Sequence, residues 1–422
     1  MKKLLLSLAA LTAVISLSPA QGASAAAPVD PAFAETKKTV ISSIQDMLEK
    51  SAYVPGVDFS KFESFLKEAM PNIDKAANDG EFSNAIEGAL RKFGFSHITL
   101  HTPQMVNARR DASTVGIGVR ISPQKDGILI IGLVPDAPAQ AAGIEVGDLM
   151  IEADGKKLDG PGQIAGKEGT PVVIKVKKAN GSIKEYTIIR RKFSTVRPEE
   201  LNWIDGETAV LRVYTFDLSY NRERMESLVK EAAKAKNLLI DLRGNGGGAV
   251  LNMNHMLGMF LPDRTPIGAM VDKQMFDQWV NEQKGKATDY RGLVNWTDRK
   301  TKIYQNRRVT WKGNLAVLVD QGSGSASEIS AAALRDVLKC PIIGMKSAGA
   351  VLVSYIRPIP GTSYALQYPV QDYVTLNGIR LEGNGVQPNL EIKNMTPFLK
   401  QGEVDSAWIA ARDYLKKWPA TR

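Results

Sequence analysis

The sequence predicts an α/β protein of several domains: a helical N-terminal region, a compact β-rich unit, and a core whose mostly parallel sheet is flanked by helices. Three observations carry this. Residues 33–93 place apolar side chains at helical spacing. Residues 114–193 read as short strands separated by glycine turns. From residue 194 onward strands and helices alternate, and the buried-strand pattern at 237–243 and the apolar run at 316–319 are each followed by a glycine-containing turn that opens a helix.

The 422 residues are enough for two or three domains. The net charge of +9 is spread along the chain, and no aromatic-interleaved basic motif occurs, so no nucleic-acid partner is read from it. Residues 1–26 read as a secretory signal: Lys2-Lys3, an apolar stretch over 4–17, then small residues. That stretch is short for a membrane span, and no later segment is long and apolar enough. The expected product is exported, periplasmic or extracellular, and not stably inserted in a membrane. Cys340 is the single cysteine, so no internal disulfide forms, and its apolar neighbours predict a buried core residue.

Taken in order, three helical patterns cover 35–53, 59–70 and 82–93, within a helical region assigned to 27–112. The next stretch, 93–103, looks like a strand and holds His97 and His101 on one side. A metal pair there would lack a third ligand nearby, and the sequence gives no sign of a metal or an organic cofactor. The β unit, 113–193, has strands at 114–121, 125–134, 146–158, 172–178 and 182–191, a short helix at 137–144, and a hairpin turn at Asn180-Gly181. The core, 194–422, starts with a strand at 209–216 and a helix at 222–236. The run 237–243 follows, then the glycines 244–248 and a helix over 249–261. A tryptophan-containing polar region, 271–311, is expected to wrap the core or form a lid. A last helix covers 406–417.

Chemistry concentrates at two strand–helix turns. In V-D-Q-G-S-G-S-A-S-E-I (319–329) a serine meets the start of a helix, where free backbone N–H groups point outward. That suits a nucleophile beside an oxyanion site. Ser325-x-x-Glu328 is equally a capping box, in which the serine only caps the helix. D-L-R-G-N-G-G-G (241–248) lacks the lysine of a phosphate-binding loop. Its glycines allow close approach of backbone to a ligand, or simply make a tight turn.

The order of the β unit resembles a bacterial PDZ domain. In it Gly116, Ile117, Gly118 and Val119 match the loop that binds a peptide's C-terminal carboxylate, with the peptide adding to a sheet edge. The two turn motifs, with I-I-G-M-K-S-A-G (342–349) and L-E-G-N-G-V-Q-P-N (381–389), occur in the order seen in the carboxy-terminal processing (tail-specific) proteases, S41-type serine peptidases. That resemblance covers nearly the whole mature chain. It implies Ser325 as nucleophile, with Ser323 and Ser327 as lesser candidates, and an oxyanion hole from Gly246 or Gly247 with Ala326.

The sequence departs from this family at the base. Where well-known members carry a lysine, this chain has Ala350, and Ser354 stands for their glutamine. The core also resembles the lysine-less tricorn protease and the chlamydial protease-like activity factor, which use serine, histidine and glutamate. That resemblance points to Ser325, His97 and Glu382, with Arg212 where tricorn has its histidine. Lys346 is a possible displaced base, or an ordinary solvated lysine. His97 has a bland reading as a domain-junction hydrogen bonder, and His255 one as a core residue.

The expected function is therefore an exported serine endopeptidase acting on unfolded or C-terminally recognised polypeptides through an acyl-enzyme, with Arg212 and Tyr214 lining its cleft. The alternative is a catalytically inactive protein that binds peptides or ligands through its PDZ unit. A homo-oligomer is compatible with either.

Overall fold

The computed structural model describes residues 30–393 and 404–418, apart from Asp159. The expected signal at 1–26 lies outside the described residues. Helices Pro31–Ser51, Phe62–Lys75 and Asp79–Leu90 form the N-terminal region. The first starts at Asp30, whose carboxylate accepts from the Ala32 N–H at 2.9 Å, with Pro31 in the first turn. Its Val40, Ile44 and Leu48 stripe is buried against Phe62, Phe82 and Ile86.

This region is sewn into the core. Strand Thr99–His101 pairs antiparallel with Ala365–Thr375, placing Leu100 opposite Leu366. Ala365–Thr375 also pairs with Leu352–Pro358 and Thr265–Val271, the latter joined to Thr301–Ile303. One sheet thus carries residues from both ends of the chain. The 271–311 region packs against it, with Trp279 tilted against Trp296 at 5.8 Å between ring centres.

The central sheet runs Glu200–Trp203, Thr208–Arg212, Asn237–Asp241, Asn314–Val319, Ile342–Gly344, Leu390–Glu391. All pairings are parallel except the first. Asn237–Asp241 is buried throughout, which explains the apolar run Leu238–Ile240 at its centre. Helices Arg222–Ala232, Val250–Leu257 and Ala326–Leu338 pack on one face. Helix Ser406–Leu415 packs on the other, two residues shorter than its sequence pattern. The parallel order brings the C-terminal ends of adjacent strands together, so the turns after Asp241 and Val319 are neighbours. Cys340 is buried, as its neighbours require.

The β unit forms its own sheet, ordered Val119–Gln124, Gly127–Leu133, Leu149–Ala153, Pro171–Lys177, Ile183–Ile189. The strand expected over 114–121 is broken. Ser113–Gly116 pairs instead with Arg191–Ser194, and the chain kinks before Val119. Gly118 makes the kink, at φ +80°, with its α-carbon so close to Ala137 that a Cβ would fall 2.1 Å from the alanine methyl. Val119–Gln124 is left as an edge strand.

Candidate active site

Ser325 occupies the junction the sequence predicts, after strand Asn314–Val319 and at the cap of helix Ala326–Leu338. Its backbone lies at φ +53°, ψ −120°, a region that costs a non-glycine residue on the order of 1–3 kcal/mol. The surroundings hold it there. Ser325 N–H donates to the Ala350 carbonyl at 2.8 Å and to Glu328 Oε2 at 3.2 Å. Glu328, fully buried, also accepts from the Gly349 and Ala350 N–H groups and from Ser347 Oγ. It clamps the 347–350 segment onto the serine turn. The capping role of Glu328 and the presentation of Ser325 therefore coexist. Ser323 is buried and bonds Leu242 O, and Ser327 is buried, so neither reaches open space.

The Ser325 side chain faces His97, with Oγ 3.1 Å from Nε2. On the other side of the imidazole, Nδ1 lies 2.6 Å from Ser96 Oγ. Ser96 Oγ–H donates to Glu382 Oε2 at 2.8 Å, and Ser96 N–H donates to Oε1 at 2.8 Å. A hydroxyl that donates to the carboxylate has its lone pairs for the imidazole. This assigns the proton to Nδ1 and leaves Nε2 to accept from Ser325. Val351 N–H, at 2.7 Å, fixes Glu382 from the core side. Burial lowers the pKa of His97, and the Glu382 charge partly offsets it.

His97 does not sit on a strand, as the alternating pattern suggested. It lies in a turn at φ +60°, two residues before Thr99–His101 begins. The pairing of that short strand with Ala365–Thr375 anchors the turn against the core. His101 opens into the same cavity but approaches Gln367 Oε1, at 3.4 Å. Among the described residues no cluster of His, Cys, Asp and Glu is arranged to hold a metal.

The cavity has a volume of about 580 Å³. Ser325, His97, residues 246–250 and the start of the Ser325 helix line it. Gly247 packs against the nucleophile turn so closely that a Cβ would fall 2.6 Å from Ser325 Cβ and 2.9 Å from Ala326 N. This is the close approach for which the glycines are needed. The Gly247 N–H is spent on Asn245 Oδ1 at 2.9 Å, which removes it from the expected oxyanion donors. Among the described residues the Gly246 and Ala326 N–H groups have no hydrogen-bond acceptor, and both residues line the cavity.

Two expected cleft residues lie elsewhere. Arg212 is opposite Asp241 in the sheet register and donates to it at 2.8 Å. Asp241 is buried, yet Arg243 and Arg212 keep its carboxyl well below the usual range. Tyr214 donates to Glu200 at 3.0 Å and lines a smaller neighbouring cavity. Lys346 is exposed and lines neither cavity. Ser96 is the functional neighbour that sequence reasoning does not pick out, while Glu328, expected only as a capping partner, also anchors the 347–350 segment.

Residues 207–392 match the model described as Peptidase family S41. The core of the chain is thus similar to that family over those residues. Among curated relatives, a "Probable CtpA-like serine protease" of Staphylococcus aureus (strain bovine RF122 / ET3-1) is 25% identical over 335 residues, 78% of this chain and 62% of the relative. Its counterpart in Staphylococcus haemolyticus (strain JCSC1435) is 26% identical over 347 residues, 79% of this chain and 65% of the relative. The chain thus spans less than two thirds of the length of these relatives. Among solved structures, mature CPAF complexed with lactacystin superposes with a TM-score of 0.56 at 14% identity, covering 91% of this chain and 97% of that one. The photosystem II D1 C-terminal processing protease superposes at 0.51 and 18% identity, covering 84% and 92%. At these identities the likeness is one of fold.

Proposed function

We propose that this chain is an exported serine endopeptidase that cleaves unfolded or C-terminally recognised polypeptides through an acyl-enzyme. The observation that carries this is the hydrogen-bonded chain Ser325–His97–Ser96–Glu382, opening into a cavity that has unpaired N–H groups at its wall. In this reading His97 Nε2 takes the Ser325 proton as Oγ attacks the scissile carbonyl. Nδ1–H then stays bonded to Ser96 Oγ, and Glu382 stabilises the imidazolium through that serine. The Gly246 and Ala326 N–H groups receive the oxyanion. The resting imidazole, held neutral by burial, is in the right state to act as base. His97 returns its proton to the leaving amine, and water then releases the acyl group by the same relay.

Exposed apolar side chains near the two cavities, Leu218, Leu251 and Tyr355, suit an unfolded polypeptide better than a small molecule. The free edge of Val119–Gln124 suits β-addition of a peptide, in keeping with the PDZ resemblance. Export rests on the sequence of 1–26. Among the described residues, no helix is long and apolar enough to cross a membrane. Ala350 in place of a lysine keeps a second reading alive, that of an inactive peptide-binding relative.

Hydrolysis of an unfolded protein by the mature chain, beside Ser325→Ala, His97→Ala and Lys346→Ala, separates the two. The proposal expects activity that disappears with Ser325 or His97 and survives without Lys346. An inactive parent, tested across pH and with C-terminal peptides added, would favour the binding protein.

A further inference from the structure

The junction between the β unit and the core holds an uncompensated positive charge. Arg197 lies on the strap between Arg191–Ser194 and Glu200–Trp203, and its guanidinium stacks on Tyr214 at 3.5 Å from the ring centre. Arg212, on the neighbouring strand, sits 5.1 Å from the same ring. Arg120, the second residue of the edge strand Val119–Gln124, faces this group from the β unit, within electrostatic reach of Tyr214, Glu200 and Arg212. Gly132, opposite Arg120 in the register, leaves room for it: a Cβ there would fall 3.3 Å from Arg120 Cδ and Nη1.

Ion pairing accounts for some of these charges but not all. Arg212 is paired with Asp241, and Arg109 makes a bidentate pair with Asp217 at 3.0 and 2.9 Å. Among the described residues neither Arg197 nor Arg120 is in an ion pair. Glu200 is the nearby carboxylate, and it accepts from Tyr214. Arg109, Arg120 and Arg197 thus face two carboxylates, Asp217 and Glu200, which leaves one positive charge over. Arg212 Nε is in addition buried without a partner. Burial, with Arg120 and Arg212 alongside, brings the Arg197 pKa down to about 10. The resting state is therefore repulsive, and an anion would relieve it.

The space for an anion is present. A cavity of about 220 Å³ is lined by Arg197, Tyr214, Thr195 and Ser219, and it shares Arg109, Thr215 and Asp217 with the cavity of Ser325. Stacking holds the guanidinium plane against the ring at the cavity wall, and an arginine so placed can take a carboxylate in two parallel hydrogen bonds. We propose that Arg197, oriented by Tyr214 and backed by Arg120, binds a carboxylate of the polypeptide that occupies the Ser325 cavity. The source is either the C-terminal carboxylate or an Asp or Glu side chain. The subsite adjoins the Ser325 cavity through Arg109, Thr215 and Asp217, so it would set the register of the bound chain. This inference deepens the peptidase reading and rests on it for the identity of the ligand as a polypeptide.

The test reads binding apart from catalysis. The full-length Ser325→Ala protein is titrated with a short fluorescein-labelled apolar peptide by fluorescence anisotropy. The peptide is used with a free C-terminus, as its amide, and as amides carrying one internal Glu or Gln. Charge-assisted bonds of this kind correspond to about 10-fold to 100-fold in affinity. The expected result is tighter binding by that factor for a carboxylate-bearing peptide over its neutral match, with the ratio collapsing toward one in Arg197→Gln and falling in Arg120→Gln. Discrimination only against the C-terminal amide assigns the terminal carboxylate, and discrimination of Glu over Gln assigns the side chain. Equal affinities for all four peptides in the unaltered cluster would overturn the proposal, as would preference that survives both arginine changes or no binding at all. Peptidase failure is read separately, as absence of hydrolysis by the Ser325 parent, so the two ideas can fall independently.

Discussion

Two histidines in this molecule sit between a hydroxyl and a carboxylate, and only one of them is at a site. His97 lies between Ser325 and, through Ser96, Glu382. His255 lies between Tyr220, at 3.0 Å from Nδ1, and Glu226, at 3.2 Å from Nε2. Burial lowers both imidazole pKa values. The difference is in what surrounds them. The Ser325 hydroxyl stands at a strained strand–helix turn, over a cavity with unpaired N–H groups. The Tyr220 hydroxyl is enclosed, with its pKa pushed up by burial, and Glu226 also serves Arg308 and Asn306. A hydroxyl–histidine–carboxylate sequence is thus a common way to satisfy buried polar groups. Open space beside the hydroxyl, with donors aimed into it, makes one of them chemical.

That contrast can be broken most sharply at its centre. Ser325→Ala and His97→Ala should each lower kcat/KM by roughly 10⁴-fold or more, since members of such a unit fail together. A loss of that size on changing His255 instead would invert the comparison. Glu382→Gln should cost less, about 10²-fold, because the carboxylate acts through an intervening hydroxyl. It should also move the pH profile. The carboxylate favours the imidazolium and raises the His97 pKa, so its removal lets burial lower that pKa further. The acid limb of kcat/KM, expected below the ordinary imidazole value, should therefore shift to still lower pH in Glu382→Gln. An acid limb that does not move would show that Glu382 does not sense the His97 charge.

Ser96→Ala should reduce kcat/KM about 10-fold, equivalent to about 1.4 kcal/mol, by leaving Nδ1 without its acceptor. Ser96→Thr, which keeps the hydroxyl, should recover part of it. His255→Gln sits at the small end. It should leave kcat/KM within about twofold while costing about 1–3 kcal/mol of stability in denaturant titrations, because buried partners lose their bonds.

Much of the fold is legible in the sequence because the two central strands carry apolar runs, 238–240 and 315–319, each followed within a few residues by glycines and a helix. Ser325 was visible for the same reason: a serine between such a run and an alanine-rich helix has few places to go. The partners were not visible in that way. His97 was named only through a resemblance, and its turn was mistaken for strand, because a positive φ at a non-glycine residue is imposed by tertiary contacts. Ser96 carries no signal of its own. Its role exists only because Glu382, far along the chain, folds against it. Arg212 lies on the expected strand, which ends there and leaves Tyr214 beyond it, and nothing in that strand tells which carboxylate the next one offers. The register with Asp241 decides it.

The central claim is that His97 is the base of Ser325. The most direct measurement is the rate of covalent labelling of Ser325 by a fluorophosphonate, followed against pH in the parent chain and in His97→Ala. The account predicts a labelling rate that falls with acid through a single step below the ordinary imidazole pKa of about 6.5, and a rate in His97→Ala that is at least 10²-fold lower with that step gone. Labelling that is equally fast without His97, or that disappears on Lys346→Ala instead, would contradict it.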